Sequence, residues 1–309
     1  MKAHLIEDGG ASAADEDNFF RSTPFLEAEG ATHTIEVGDG TLRLPVIVRS
    51  IDGTERVDAI SPYGYPGASV EPGAVLDPGE VDWSDTGLVS VFVRDRIGEE
   101  CLTGGTLRNR VHIAEGDSGI RKRLREQIRR NERRGWSVEA IPGPDAAEGS
   151  RAAFERAYAE TMARTGAAER YLYPSEYFAG LLRSERSWLI VGSREGSGLA
   201  GAIAAASDGY LHYYLGGTAD EALGDSPMKN LFAGMISLGT ELGLPASLGG
   251  GLSPGDSLDE FKRGFANGEA PFHTHELICD PAAYEELSSG APAAADFFPA
   301  YRAPGPSPG

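Results

Sequence analysis

"SWLIVGSREGSGLAGAIAAASDGYLHYYLGGT", residues 187–218, decides how this chain is read. It holds three apolar stretches, "SWLIVGSRE", "LAGAIAAAS" and "GYLHYYLGG", with no room for a helix between them. "SREGSGLAG" places its glycines as a hairpin turn does, so the three are read as consecutive strands. In the last strand Leu211, Tyr213 and Leu215 share one face, and Tyr210, His212 and Tyr214 share the other. Strands clustered in this way, rather than alternating with helices, predict an α+β fold.

The same pattern extends outward on both sides. Upstream, "THTIEV", "TLRLPVIVRS", "TERVDAI", "LVSVFVRD" and "NRVHIA" read as strands, after a short helix at 18–30 that Gly30 closes. A Gly- and Pro-dense loop spans 61–87. "WSVEAI" is a strand, followed by helices from about 145 to 164 and from 174 to 185. Downstream come a helix at 227–242, a short strand near "ASLGGG", a helix at "SLDEFKRGFA" and a strand at "HTHELICD".

A length of 309 residues predicts two domains, and 40% hydrophobic content is enough to fill their cores. Cys101 and Cys279 fit no metal or redox spacing, which points to a reducing cytoplasm. The acidic start lacks the apolar segment of a secretory signal, and no run of about 18 apolar residues occurs, so no membrane insertion is expected. The tail after Ser288 is rich in Ala, Pro and Gly and is expected to be flexible.

Charge is uneven. The net of -19 divides into -13 over residues 1–100, +5 over 101–142 and -11 over 143–309. The positive island centres on "RKRLREQIRRNERRGW" (121–136), a predicted helix capped by Asp117 or Ser118 and ended by Gly135. Its apolar residues, Ile120, Leu124 and Ile128, form one narrow stripe, which leaves the arginines to solvent. Such a face is either merely solvated or a docking site for phosphates, whose binding releases counterions.

Four stretches of the second half carry a family resemblance: "YAETMARTGAAERYLYP" (158–174), "YLHYYLGGT" (210–218), "LGGG" (248–251) and "FKRGF" (261–265). Together with "SPYGYPG" (61–67) and the basic helix before Gly135, their order and spacing over residues 18–288 resemble the Fem-type, GNAT-related family of aminoacyl-tRNA-dependent peptidyl transferases. The resemblance implies two GNAT-like domains side by side, with mixed and antiparallel sheets flanked by helices. The expected divisions are a flexible 1–17, a first domain at 18–140 with the basic helix 118–134 at the junction, a second at 141–280, and a C-terminal helix and tail at 281–309. The coiled-coil arm of longer members has no heptad counterpart here. Length and missing arm are similar to those of alanyl-tRNA-dependent members that act in antibiotic biosynthesis.

What the resemblance implies for the site is specific. The donor is the acceptor end of an aminoacyl-tRNA, and the acceptor is the amine of a small peptide, antibiotic intermediate or nucleotide-linked cell-wall precursor. No cofactor or metal is called for, and a monomer is expected. Lys262 faces the oxyanion that forms when the amine attacks the ester. Tyr213 or Tyr214 contacts substrate. Arg121, Arg125, Arg129, Arg130 and Arg133, with Phe261, meet the tRNA end. Tyr63, Tyr65, Arg164 and Tyr171 receive the acceptor. On residues alone the plainer readings stay open: Phe261 and Phe265 as a core pair with Lys262 solvated, the tyrosines as core residues, His212 as a structural strand histidine, and "HTH" (273–275) as a histidine pair without a third ligand. Two other functions also remain: a GNAT acyltransferase using acyl-CoA, whose pyrophosphate loop (Gln/Arg-x-x-Gly-x-Gly/Ala) is missing before residue 228, and a non-catalytic polyanion-binding module.

Overall fold

The computed structural model describes residues 1–98, 100–251, 255–289 and 297–303. In chain order the strands are β1 (Ala3–Ile6), β2 (His33–Val37), β3 (Leu42–Ser50), β4 (Val57–Ile60), β5 (Ser69–Val70), β6 (Leu88–Arg94), β7 (Thr106–Ala114), β8 (Trp136–Pro142), β9 (Ser187–Arg194), β10 (Ser197–Ser207), β11 (Tyr210–Thr218), β12 (Ala246–Ser247) and β13 (Gly268–Ile278). The helices are α1 (Thr23–Glu29), α2 (Lys122–Arg133), α3 (Glu148–Thr165), α4 (Ser175–Leu181), α5 (Met228–Leu242), α6 (Ser257–Arg263) and α7 (Pro281–Ser288). None among the described residues is long and apolar enough to cross a membrane, and no coiled-coil arm occurs among them.

The chain forms two compact units. The first comprises residues 1–15, 29–108 and 272–309. Its strands pair in the order β1, β2, β3, β4, β6 and the end of β13; β4 runs parallel to β6 and the other pairs are antiparallel. Alternating residues of these strands, among them Ile35, Val37, Leu44, Val91 and Leu277, bury one face together with Trp83. The N-terminus, expected to be flexible, supplies β1 because Ala3 is fully buried in that core and Leu5 packs against it. Of the tail expected to be flexible, residues 290–296 and 304–309 lie outside the described residues. Arg302 is held by Asp58, its Nε donating to Oδ2 at 2.5 Å.

The second unit comprises residues 16–28 and 109–271. Strand order is β7, β12, β11, β10, β9, β8, antiparallel except for the short β11–β12 pair. The three central strands are those read from 187–218. Helices cover both faces of this sheet, which explains why seven of the eleven residues of β10 are Gly or Ala. On one face α3 lies so close that a Cβ on Gly217 would stand 2.4 Å from the Ala157 carbonyl oxygen, and one on Gly201 would stand 2.8 Å from the Phe154 ring. On the other face α5 presses Leu231 to within 2.5 Å of where a Cβ on Gly192 would stand. Small residues are the condition for two helix layers on one sheet.

Residues 109–140, which the sequence reading gave to the first domain, belong to this unit. Ile120 and Ile128 of the basic segment pack with Phe232, Met235 and Ile236 of α5, and Leu124 packs against the same cluster. Arg121, not Asp117 or Ser118, stands at the N-cap of α2, because its amide is drawn to the Gly264 carbonyl at 2.9 Å. Gly135 ends the helix at φ +84, as the sequence indicates.

Segment 16–28 is pinned to the turn after β10 by a buried fork. Arg21, 1% exposed, donates from both terminal nitrogens to the carboxylate of Asp208, at 3.2 and 2.7 Å. Removing one member of such a pair strands the other charge in the interior. Arg21→Ala is expected to lower the unfolding free energy by about 3–5 kcal/mol, measured by urea titration; a loss below about 1 kcal/mol would show the fork to be dispensable.

Candidate active site

Helix α6 presents the leading residue of the sequence reading. Asp256 caps it, accepting from the Asp259 amide at 2.7 Å, and its acids precede its bases as the helix dipole favours. Phe261 and Phe265 turn inward against Phe232 at 5.2 and 5.4 Å between ring centres. Both the core pair and a buried lysine are therefore present. Lys262 is 6% exposed, and its Nζ donates to the Gly250 carbonyl at 2.7 Å above the Tyr213 ring at 5.5 Å. An ammonium has three N–H groups, and among the described residues this is the single hydrogen bond of Lys262. Burial lowers its pKa to about 8, opposed by the charges of Asp256 and Asp259.

The glycine run 249–251 delivers the accepting carbonyl. A Cβ on Gly250 would stand 2.5 Å from the Asn109 amide nitrogen, and one on Gly251 would stand 2.5 Å from Asp256 Oδ1. The run is threaded between β7 and α6, where only glycine backbone fits. Beneath it lies a pair the sequence reading did not name. His112 of β7, 1% exposed, places Nε2 2.7 Å from Asp259 Oδ1. Asp259 Oδ2 accepts from Arg263 at 2.5 Å. The hydrogen bond from His112 holds the Asp259 carboxyl below its ordinary range. "NRVHIA" carries no signal for this role; the partner is 147 residues away in sequence.

The two tyrosines of β11 separate. The ladder to β10 slips between Ile203 and Ala204, and this bulge lets Tyr213 lie over Gly216 and beneath Lys262. Burial pushes the Tyr213 phenol up. Tyr214 turns to the opposite face, among Phe19, Phe20 and Phe25, and its hydroxyl meets that of Tyr177 at 2.9 Å. His212 is a core residue: Nε2 meets the Ser207 carbonyl at 3.1 Å and burial lowers the ring to about 4.

Helix α2 starts where α6 ends, and Leu124 packs where a Cβ on Gly264 would stand. Arg134 belongs to the fold, joining Arg194 and the Trp136 indole on Asp225. Arg121, Arg123, Arg125, Arg129, Arg130 and Arg133 are different: among the described residues none makes an ion pair. Arg125 and Arg129 line a cavity of about 510 Å³ with Glu132, Ser237, Thr240 and Glu241. Arg123 and Arg130 instead approach Lys229, whose pKa is lowered by burial and by these two charges. Neither Arg123 nor Lys229 stood out in sequence.

The residues expected to receive the acceptor fall in both units. In the first, Tyr63 is exposed with Arg94 5.8 Å from its ring, and Tyr65 meets Phe272 edge to face at 4.9 Å. In the second, Arg164 is committed to Asp220 and Thr161, and the Tyr171 ring lies 5.0 Å from the Arg170 guanidinium. His273 and His275 each stand beside a carboxylate, Glu100 at 3.4 Å and Asp95 at 3.5 Å. No cluster of three metal-ligating side chains occurs among the described residues.

Comparison with known proteins fits this arrangement. Residues 118–263 match the family model described as acetyltransferase (GNAT) domain, a span that includes all of α2 and runs through Lys262. The solved structure of FemX superimposes with a TM-score of 0.62 at 13% identity, covering 93% of this chain and 99% of that one. The chain shares the fold of FemX, and its residues 118–263 are similar to GNAT domains in sequence. Two further structural neighbours are the C-terminal (DUF2156) domain assigned to a lysylphosphatidylglycerol synthetase from Agrobacterium fabrum (TM-score 0.58, 14% identity, 89% of this chain and 93% of that one) and L-PGS from Bacillus licheniformis (0.57, 14%, 82% and 86%). No curated protein matches the sequence.

Burying Lys262 has a thermodynamic signature. Its folded pKa, about 8, lies below the ordinary 10.5, so the unfolded chain binds its proton more tightly and folding stability rises as pH increases from about 8 to 10.5. Lys262→Met is expected to raise stability at pH 7 by about 1–3 kcal/mol and to flatten that rise, read from denaturant curves at several pH values. A less stable Met variant would mean that the ammonium is a structural prop.

Proposed function

We propose that the protein is an aminoacyl-tRNA-dependent aminoacyl transferase within the GNAT-related acyltransferases. The observation that carries this reading is the buried Lys262 ammonium, with two N–H groups uncommitted among the described residues, in the same unit as a helix whose arginines make no ion pair among those residues. The acceptor amine attacks the ester carbonyl of the charged tRNA and a C–N bond forms. Lys262 donates to the resulting oxyanion, a contact worth about 10²–10³-fold in rate. The C–O bond to the ribose then breaks, and the proton lost by the amine leaves on the ribose oxygen. Tyr213 supports the ammonium from below. Arg125, Arg129, Arg130 and their neighbours neutralise phosphates of the acceptor end; sequence-specific reading of the RNA is not involved. The acceptor is a small peptide, antibiotic intermediate or cell-wall precursor, alanine is the first amino acid to test, and the supply of charged tRNA places the reaction in the cytoplasm.

One finding favours a second reading. The matching family model is named for acetyltransferases, so acyl-CoA is the competing donor. Radiolabelled amino acids on charged tRNA, incubated with candidate amines, separate the two: transfer abolished by RNase pretreatment supports the first, and transfer from acyl-CoA supports the second.

With the tRNA donor, Lys262→Ala is expected to slow transfer about 100-fold with little change in donor affinity; an unchanged rate would end its assigned role. Arg129→Ala with Arg130→Ala should weaken donor binding and reduce the salt slope by about one to two units, measured by filter binding from low to moderate salt. An unaltered slope would make α2 an ordinary solvated face.

A further inference from the structure

Helix α6 has seven residues, too few to hold its own shape, so its place must be set from outside. Two parts of the site depend on that placement: the helix that carries Lys262 and the glycine run that carries its acceptor. One residue touches both. The His112 ring binds Asp259 on α6 at 2.7 Å. The His112 backbone receives the Leu248 amide at 2.8 Å and donates to the Gly249 carbonyl at 3.1 Å, one residue before the carbonyl that Lys262 uses. Asp259 in turn spends both oxygens, Oδ1 on His112 and Oδ2 on Arg263 and the Gly255 amide. Its charge stands one helical turn from Lys262.

We infer that His112 and Asp259 form the positioning pair of Lys262: the histidine registers α6 against the glycine run, and the carboxylate keeps a negative charge beside the ammonium. The inference rests on the reading of Lys262 as the oxyanion donor. Among the described residues the titratable and charged groups around the ammonium are few. Helix α6 supplies Asp256, Asp259 and Arg263, β7 supplies His112, and β11 supplies the Tyr213 phenol. Glu269 of β13 lies 3.6 Å from His112 Nδ1, a ring nitrogen otherwise buried without a hydrogen-bond partner. α2 and α5 turn Leu124 and Phe232 toward α6. Of these, Asp256 and Asp259 favour the ammonium, and Asp259 is fixed from a second element by its own side chain.

The chain suits a direct test, since Lys2, Lys122, Lys229 and Lys262 are its lysines and their side-chain resonances are separately assignable. With ε-¹³C-lysine labelling, Lys262 in the parent protein should titrate near pH 8. Asp259→Asn keeps an acceptor for His112 but removes the charge, and should lower that midpoint by about one unit; Asp259→Glu should restore it. Asp259→Ser removes the charge without setting an amide against Arg263, and carries the same expectation if the Asn variant does not fold. In transfer assays the neutral variants should lose kcat about tenfold with KM for the donor kept, and the alkaline limb of the pH profile should move down with the midpoint. A midpoint unmoved in a folded Asn or Ser variant overturns the inference, even where Lys262→Ala abolishes transfer. A shifted midpoint with no transfer from any charged tRNA upholds the pair and overturns the proposed function instead.

Discussion

A positive charge sits inside this protein, and among the described residues one carbonyl is its hydrogen-bond partner. The bond from Lys262 to Gly250 organises what surrounds it. The glycines at 249–251 let the backbone pass between Asn109 and the two aspartates of α6, and that passage brings the carbonyl to the ammonium. The ammonium's remaining N–H groups are uncommitted among the described residues, and in a low-dielectric setting an uncommitted donor acts strongly on any developing anion. The cost is paid in stability, since an isolated ammonium prefers water. Such a cost is common where activity requires a strained or buried group.

The packing around that bond is asymmetric for a physical reason. On one face of the second unit α3 presses on a glycine floor; on the other, α5, α6 and α2 close a cluster of Phe232, Phe261, Phe265 and Leu124. The aromatic residues fix the direction of α6 while Lys262, between them, is forced sideways. Helix α2 meets the same cluster along its thin apolar stripe and turns its arginines outward. A net charge of -19 in the chain as a whole offers many carboxylates, yet six arginines of this helix are unpaired among the described residues. Arg134 shows what a structural arginine looks like here: it is held by Asp225, which also takes Arg194 and Trp136.

Much of the architecture was legible in the chain because it is local. Apolar stretches set apart by turn glycines marked the strands of 187–218, with period-2 alternation in the last of them, and the stripe Ile120, Leu124, Ile128 marked the buried line of α2. The i, i+4 spacing of Phe261 and Phe265 marked a core pair. The N-terminal strand was missed because only Ala3 is fully buried there, a signal that exists through its neighbours and not in its own composition. The choice between Tyr213 and Tyr214 was also out of reach, since a one-residue bulge in the β10–β11 ladder decides which face each ring takes.

The sequence by itself determined the class of fold and the positive island, since each depends on spacing along a few turns or a single strand, and the family resemblance that includes "FKRGF" made Lys262 a candidate. Only tertiary structure decided the partners. His112 and Asp259 are 147 residues apart, and Asn109 meets Gly250 from a different strand. Lys229 joins Arg123 and Arg130 because α5 packs on α2. Local pattern reports which side of an element is apolar. It carries no information on which distant polar atom waits there, because that depends on how closely two elements approach, and side-chain size at remote positions sets that distance.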